Sequence, residues 1–176
     1  EHHLPDQDAR WVNQIMGLNF AHKMSQDRAD KMQILLERAC ELSDTKNLEV
    51  GLVPILKAII RRPSYVLMLL QEKSLLAALL DLVDKNDYFV KAWVQHPALL
   101  ELLFEPELLP ETVDVDFYQL EWSKIQSEEH DEEQWMEAVR FFKHKQQFKL
   151  IQSALTLGLP DAYLRQGFSS LAEFFV

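Results

Sequence analysis

Apolar residues recur three and four positions apart along most of the chain, which is the period of a helix with one buried face. The clearest case is Ala29, Met32, Leu35, Leu36 and Ala39. Ser25 is expected to cap that helix and Asp27 to sit in its first turn, where a carboxylate complements the dipole; the pattern runs on to Leu42. Upstream, Ala9, Val12, Ile15 and Met16 predict a shorter helix over Asp8 to Leu18. Downstream, Ser43-Asp44-Thr45 breaks the pattern. Asn47 is then expected to cap a third helix with Val50, Val53, Leu56, Ile59 and Ile60 on its apolar side, and Pro54 in an early turn, where its missing donor costs little.

From Arg61 the punctuation is regular. Pro63 stands at a first helical position and opens a helix to Gln71, Ser74 is expected to cap Leu75 to Val83, Asn86 or Asp87 to cap Tyr88 to Gln95, and Pro97 to open Ala98 to Phe104. Short links between short helices favour antiparallel or orthogonal neighbours in an array. Pro106 and Pro110 mark 105–114 as a loop, followed by a helix from Val115 to Ile125. The acidic run Glu128 to Glu133 reads as the first turn of the longest helix, with Asp131 and Gln134 as a capping-box pair. That helix is expected to turn Trp135, Val139, Phe142, Ile151 and Leu155 inward and to end at Gly158, ahead of Pro160. A last helix runs from Asp161 to Phe175, and the apolar end Phe174-Phe175-Val176 has the look of a helix cut part-way. The pattern therefore predicts an all-α protein: a helical array over 1–104, a Pro-containing loop over 105–114 and a long-helix unit over 115–176, packed together as one domain.

Composition strengthens this reading. Of the 176 residues, 48% are hydrophobic and only 4 are Gly, so a chain rich in Leu, Ala, Glu, Gln and Lys has ample helix formers and a sizeable core. A net charge of -10 repels phosphate backbones and argues against nucleic-acid binding. The apolar run Val66-Leu67-Met68-Leu69-Leu70 stops at Gln71-Glu72-Lys73, far short of a membrane span, and the polar start from Glu1 to Asp8 is no secretory signal. The expected location is cytoplasmic. Cys40 is the single cysteine, which excludes an internal disulfide and a cysteine-based zinc site; its place in Leu35-Leu36-Glu37-Arg38-Ala39-Cys40 predicts a buried structural thiol.

Candidate chemistry is thin. Gly17, Gly51, Gly158 and Gly167 are isolated, so no Gly-rich turn can approach a phosphate. The pairs Asp6/Asp8 and Asp114/Asp116 have the spacing of Mg²⁺ ligands, but each lies at a helix start, where Asp serves as a cap. Among His2, His3, His22, His96, His130 and His144 none forms a His-x-x-x-His pair, and His2-His3 can at most chelate adventitiously. Ser64, Ser74, Ser169 and Ser170 read as caps or surface residues rather than nucleophiles. Arg140, Lys143, Lys145 and Lys149 read as a solvated helix face, with an acidic partner as the sharper alternative. No catalytic, cofactor-binding or metal residue is assigned.

Four stretches, in order, carry a resemblance. Leu56-Lys57-Ala58-Ile59-Ile60-Arg61-Arg62-Pro63-Ser64-Tyr65-Val66-Leu67-Met68-Leu69-Leu70 resembles a helix ending in Arg-(Arg/Thr)-x-(Ser/Thr)-Tyr-Leu-x-Leu-Leu in the bifunctional glutamine synthetase adenylyltransferase/adenylyl-removing enzymes. Gln95-His96-Pro97-Ala98-Leu99-Leu100-Glu101-Leu102-Leu103-Phe104-Glu105-Pro106 is similar to that family's Arg-(His/Tyr)-Pro-x-Leu-Leu-(Asp/Glu)-Glu-Leu-Leu-Asp-Pro, with Gln95 in place of Arg and Leu102 in place of Glu. The stretch from Asp131 to Gln146 resembles its Asp-x-Glu-x-x-(Leu/Met)-(Asp/Glu)-Ala-Leu-Arg-x-Phe motif, and Phe168-Ser169-Ser170-Leu171-Ala172-Glu173 its Leu-(Ser/Thr)-x-Leu-Ala-Glu. The first fifty residues carry no such match.

The resemblance implies a bacterial parent enzyme that uses ATP and Mg²⁺ to place AMP on a tyrosine of glutamine synthetase and removes it by phosphorolysis, under the control of the PII signalling protein and glutamine. The motifs that do this in the family, Gly-Met-Gly-Lys-Leu-Gly and Ser-Asp-x-Asp, follow its Leu-Ala-Glu helix and are not in this sequence. The expected role is thus a non-catalytic, inactive scaffold or linker ahead of the second nucleotidyltransferase unit, with a possible part in signal relay. The alternative is a free-standing helical module that docks partner helices, for which the gene would have a stop codon near Val176.

Overall fold

The computed structural model describes residues 4–20, 24–104, 107–125 and 132–176, and all regular structure there is helical. The chain divides into two compact units, Glu1–Phe104 and Glu105–Val176.

In the first unit α1 (Asp6–Ile15) runs into a π-helical turn, Met16–Phe20. It is followed by α2 (Gln26–Cys40), α3 (Thr45–Ile59), α4 (Pro63–Gln71), α5 (Lys73–Lys85) and α6 (Tyr88–Gln95), and by a 3₁₀ segment, Pro97–Leu103. Central to this unit is α3. Its Leu48, Leu52, Ile55, Leu56 and Ile59 are fully buried, and it packs against α5, α6 and α4. The stripe on α2 behaves as its spacing requires, with Met32, Leu35, Leu36 and Ala39 inside. The guanidinium of Arg38 donates to the carbonyl of Leu70, tying the last turn of α2 to α4. The other face of α2 is solvated and laced by the pairs Lys31–Asp27 and Gln33–Glu37, each one turn apart.

Several caps differ from expectation. Ser25 occupies the N-cap of α2 in extended backbone, but its side chain makes no capping bond. At α3 the cap is Asp44 rather than Asn47: its Oδ1 accepts from the amides of Lys46 and Asn47, both at 3.0 Å. Because α3 starts three residues earlier than an Asn47 cap would start it, Pro54 is the tenth residue of the helix and sits in its interior. The carbonyl four residues back belongs to Val50, on an exposed turn where water can take the place of the lost donor. Likewise Ser74 lies inside the first turn of α5, not at its cap. Between Asn86 and Asp87 it is Asn86 that accepts from the Tyr88 amide, at 2.8 Å. The segment after Pro97 is 3₁₀ rather than α.

The second unit holds α7 (Val115–Ser123), α8 (Glu132–Leu157) and α9 (Asp161–Phe174). Asp114 caps α7 by accepting from the Phe117 amide at 2.9 Å. The irregular stretch before it lends Leu109 and Val113 to a core completed by Tyr118, Phe142, Leu150, Ala154, Tyr163 and Leu171. Gly158 stops α8 with a φ of 63°, and the Leu159 amide reaches back to the Ala154 carbonyl at 2.9 Å, a left-handed helix end that a side chain would strain. Gly167 has a different reason to be glycine: a Cβ there would come within 2.5 Å of Leu150 Cδ1, so α8 and α9 can approach only without it.

The inward face of α8 departs from its apolar pattern. Phe142 is buried, but Trp135 and Leu155 are exposed and Val139 and Ile151 half-buried. In their place Gln146, Lys149, Gln152 and Ser153 are enclosed. The capping-box pair Asp131/Gln134 involves a residue outside those described.

Candidate functional site

The residues that sequence reasoning weighed for chemistry do not come together. Among the described residues no group of three or more His, Cys, Asp or Glu side chains gathers at one point. Asp6 and Asp8 lie in the first turn of α1, and Asp116 in the first turn of α7 beside the capping Asp114. Asp114 Oδ1 accepts from the Phe117 amide at 2.9 Å, the capping role that its place at a helix start implies. The glycines form no phosphate cradle: Gly51 and Gly167 are closed in by Val83 and Leu150. Ser64, Ser74 and Ser169 are exposed on helices, while His2, His3, His22 and His130 lie outside the described residues. His96 ends α6, its carbonyl accepting from the Leu99 amide at 2.9 Å, and His144 lies within α8.

Cys40 is half-buried rather than fully buried. Desolvation, with the negative charges of Asp8 and Glu37 adding to it, pushes its thiol up to about 11. It is poorly nucleophilic at neutral pH.

The basic stripe on α8 also needs correction. Arg140 and Lys143 are exposed, but Lys149 is only 3% exposed and its Nζ donates to Glu107 Oε2 at 2.5 Å. A solvated lysine was expected; the cation is instead withdrawn under the stretch that precedes α7, where leaving it unpaired would cost about 3–5 kcal/mol, as for other buried charges stripped of a partner. The Lys149 ammonium, helped by Lys145 and Lys124, holds the exposed Glu107 carboxyl below its usual range. One turn along, Ser153 Oγ accepts from the Leu109 amide at 2.8 Å and donates to the Lys149 carbonyl at 2.7 Å. These bonds fasten 107–109 to α8 at two points.

Nearby, the Tyr118 hydroxyl donates to the Gly167 carbonyl at 3.2 Å, joining α7 to α9. Burial pushes both Tyr118 and Tyr163 up, and the hydroxyl of Ser153 offsets part of the effect at Tyr163 without forming a well-directed bond to it. Sequence reasoning missed this cluster, although a signal existed. Phe142, Gln146, Lys149 and Ser153 are spaced 4, 3 and 4 apart, so the polar residues share the face of the one aromatic residue correctly placed in the core.

A second feature is a groove of about 490 Å³ on the first unit, with Val50, Gly51, Val83 and Val90 among the residues that line it. Its charged rim, Asp84, Asp87 and Lys91, is exposed, so water screens those charges.

Part of each stretch that carries the family resemblance is spent on packing. Leu56, Ile59, Leu69, Leu99 and Leu100 are fully buried in the first unit, and there the Tyr65 hydroxyl donates to Glu101 Oε1 at 3.0 Å, joining the first resembling stretch to the second. In the second unit Phe142 and Leu171, from the third and fourth stretches, share one core.

Fold and polar chemistry together define a class: an all-α protein in which the best-organised polar groups cap helices or tie them to their neighbours. Within that class the comparison with known proteins is specific. The sequence profile of the family described as "Glutamate-ammonia ligase adenylyltransferase" matches residues 76–176, more than half of the chain, and the chain belongs to that family. A bifunctional glutamine synthetase adenylyltransferase/adenylyl-removing enzyme of Thioalkalivibrio sulfidiphilus (strain HL-EbGR7) is 28% identical over 150 residues. The match covers 84% of this chain and 16% of the relative's length, so the chain spans a small part of the curated relative it matches. Among the described residues no helix is long and apolar enough to cross a membrane.

Proposed function

We propose that this chain is a non-catalytic helical region of an enzyme that adenylylates and deadenylylates glutamine synthetase, and that its role is to scaffold the unit doing that chemistry. The observation that carries this reading is the fate of the residues behind the family resemblance. Their buried side chains go into the helical cores of the two units, and Tyr65 and Glu101 pair with each other, where an active-site segment would instead aim side chains into a cleft. ATP and Mg²⁺ belong to the parent in this reading, as do glutamine synthetase and the PII protein as partners in the cytoplasm. Relay of PII or glutamine signals is the finer part of the proposal, and it requires the helices to couple to a remote active site.

The test is a transplant. The matching 150-residue segment of the Thioalkalivibrio sulfidiphilus relative is replaced by the corresponding stretch of this chain. The chimera should add AMP to glutamine synthetase, and a Leu100→Asp version, which puts a charge into the core of the first unit, should lose that activity. An active Leu100→Asp chimera would show that this helical segment supports nothing.

A further inference from the structure

Residues 107–113 form no regular structure, yet Leu109 and Val113 are buried in the core of the second unit. Among the described residues this stretch takes part in no backbone–backbone hydrogen bond. Pro110 has no amide to give, and Glu107, Leu108, Glu111 and Thr112 face water. Its polar fastenings are the Glu107 carboxylate on the Lys149 ammonium and the Leu109 amide on Ser153 Oγ, and both land on a single turn of α8. A segment with so few backbone bonds opens at a lower free energy than the helices it lies on.

The two fastenings respond differently to a change of charge. Ser153 holds the Leu109 amide through a neutral hydroxyl. Lys149 is only 3% exposed, and its ammonium is tolerated there because an ionised carboxylate meets it, whereas Glu107 is 71% exposed and open to protons from solvent. The charges acting on Glu107 are Lys149 and Lys145 from α8 and Lys124 from the end of α7, the last of them paired with Glu121. On the side of α9, Tyr163 stands by Ser153 and is neutral until alkaline pH, and Glu111, the other carboxylate of the stretch, is exposed. These cations hold the Glu107 carboxyl below its usual range, so the pair supports closure fully above that range and gives the support up as pH falls through the lowered value. Once Glu107 is neutral, the buried ammonium gains most by reaching water, and the stretch above it is what stands in the way.

We propose that residues 107–113 form a latch kept shut by the charge of Glu107: when that charge is lost, the stretch lifts from α8 as one piece and uncovers Lys149 and Ser153, while α7, α8 and α9 stay folded. Lifting frees that part of the connection between Phe104 and α7. The test follows the full chain at pH 7 with two probes of opening, exchange of the Leu109 amide and labelling of a Val113→Cys thiol in a Cys40→Ser background. Glu107→Gln, which removes the charge and keeps the shape, should quicken both by the same factor, about five- to tenfold, the difference between a charge-assisted and a neutral bond. The amides of Phe142 and Leu171, in the helical core, should keep their rates. In a Lys149→Met chain the same Glu107→Gln change should have no effect, because no buried charge is left to strand. If the Val113→Cys or Lys149→Met chain does not fold, acid titration of the unaltered chain decides. Protection of Leu109 should then fall reversibly as pH drops through the lowered Glu107 value, ahead of Phe142 and Leu171. The proposal is overturned if Glu107→Gln leaves Leu109 exchange unchanged, if the core amides quicken along with it, if the effect persists without Lys149, or if acid releases Leu109 only together with the helices.

Discussion

Replacing Ser153 with alanine should loosen the second unit by an amount that its hydrogen bonds allow to be worked out. Ser153 is fully buried, and its Oγ accepts the Leu109 amide at 2.8 Å. Leu109 is itself a core residue, so with the hydroxyl gone its amide faces apolar neighbours with no water to replace the acceptor. An orphaned buried donor costs about 1–3 kcal/mol. The second bond, to the Lys149 carbonyl, adds little because that carbonyl also lies within the α8 ladder. Urea denaturation of the full chain should therefore show Ser153→Ala destabilised by about 1–3 kcal/mol. Amide exchange at Leu109 should quicken by roughly 10- to 100-fold, since each 1.4 kcal/mol is about a factor of ten. Ser169→Ala, at an exposed serine of α9, is the control and should stay within about 0.5 kcal/mol. If Ser153→Ala matches that control, or if Leu109 exchange does not change, the stretch before α7 is not held by Ser153.

Three further outcomes follow from the same packing. Gly167→Ala would push a Cβ to 2.5 Å from Leu150 Cδ1 and 2.8 Å from Cδ2; Leu150 is fully buried and has nowhere to swing, so thermal denaturation should report a loss of about 1–3 kcal/mol. Tyr65, Tyr88, Tyr118 and Tyr163 all have phenols raised above 10, each with burial as the largest cause and Tyr88 pushed up to about 12. A raised phenol stabilises the fold fully below the unfolded value near 10 and loses that contribution as pH climbs through the folded value, so absorbance at alkaline pH should show the phenolate step displaced upward in the folded protein and returned toward pH 10 in denaturant. Cys40, with its thiol at about 11, should react with iodoacetamide at pH 8 about a thousandfold below the limit set by a full thiolate, and reach the rate of a free cysteine only in denaturant.

The helical period made the architecture legible because one buried face leaves a regular mark. Met32, Leu35, Leu36 and Ala39 went where their spacing sends them, and Gly158 stopped α8 where a left-handed residue was needed. The caps were less legible for a physical reason. Ser25, Asp44, Asn47 and Ser74 are all competent acceptors, and Ser25 and Asp44 even share the extended backbone of a cap. Yet of these only Asp44 turns its side-chain oxygen to free amides, a choice of side-chain orientation that residue type does not reveal. Asp44 won over Asn47, and Pro54 moved from an early turn to the interior of α3 as a result.

The polar face of α8 was hidden more deeply. A lysine is read as exposed unless its partner is known, and Glu107 lies 42 positions away in a stretch with no period of its own. The shared face of Phe142, Gln146, Lys149 and Ser153 hints at burial, but the identity of so distant a partner leaves no local signature. The family resemblance, by contrast, was legible in four ordered stretches, each of which gives at least one side chain to a core: Leu56, Ile59, Leu69, Leu99 and Leu100 in the first unit, Phe142 and Leu171 in the second.

The most direct test of the account is to incubate the purified chain with ATP, Mg²⁺ and glutamine synthetase and weigh the synthetase by intact-mass spectrometry. The full-length Thioalkalivibrio sulfidiphilus relative, run in parallel, is the positive control by virtue of the activity in its name. The account predicts an AMP adduct on the synthetase with the relative and an unchanged mass with this chain alone. An AMP adduct produced by this chain would contradict it.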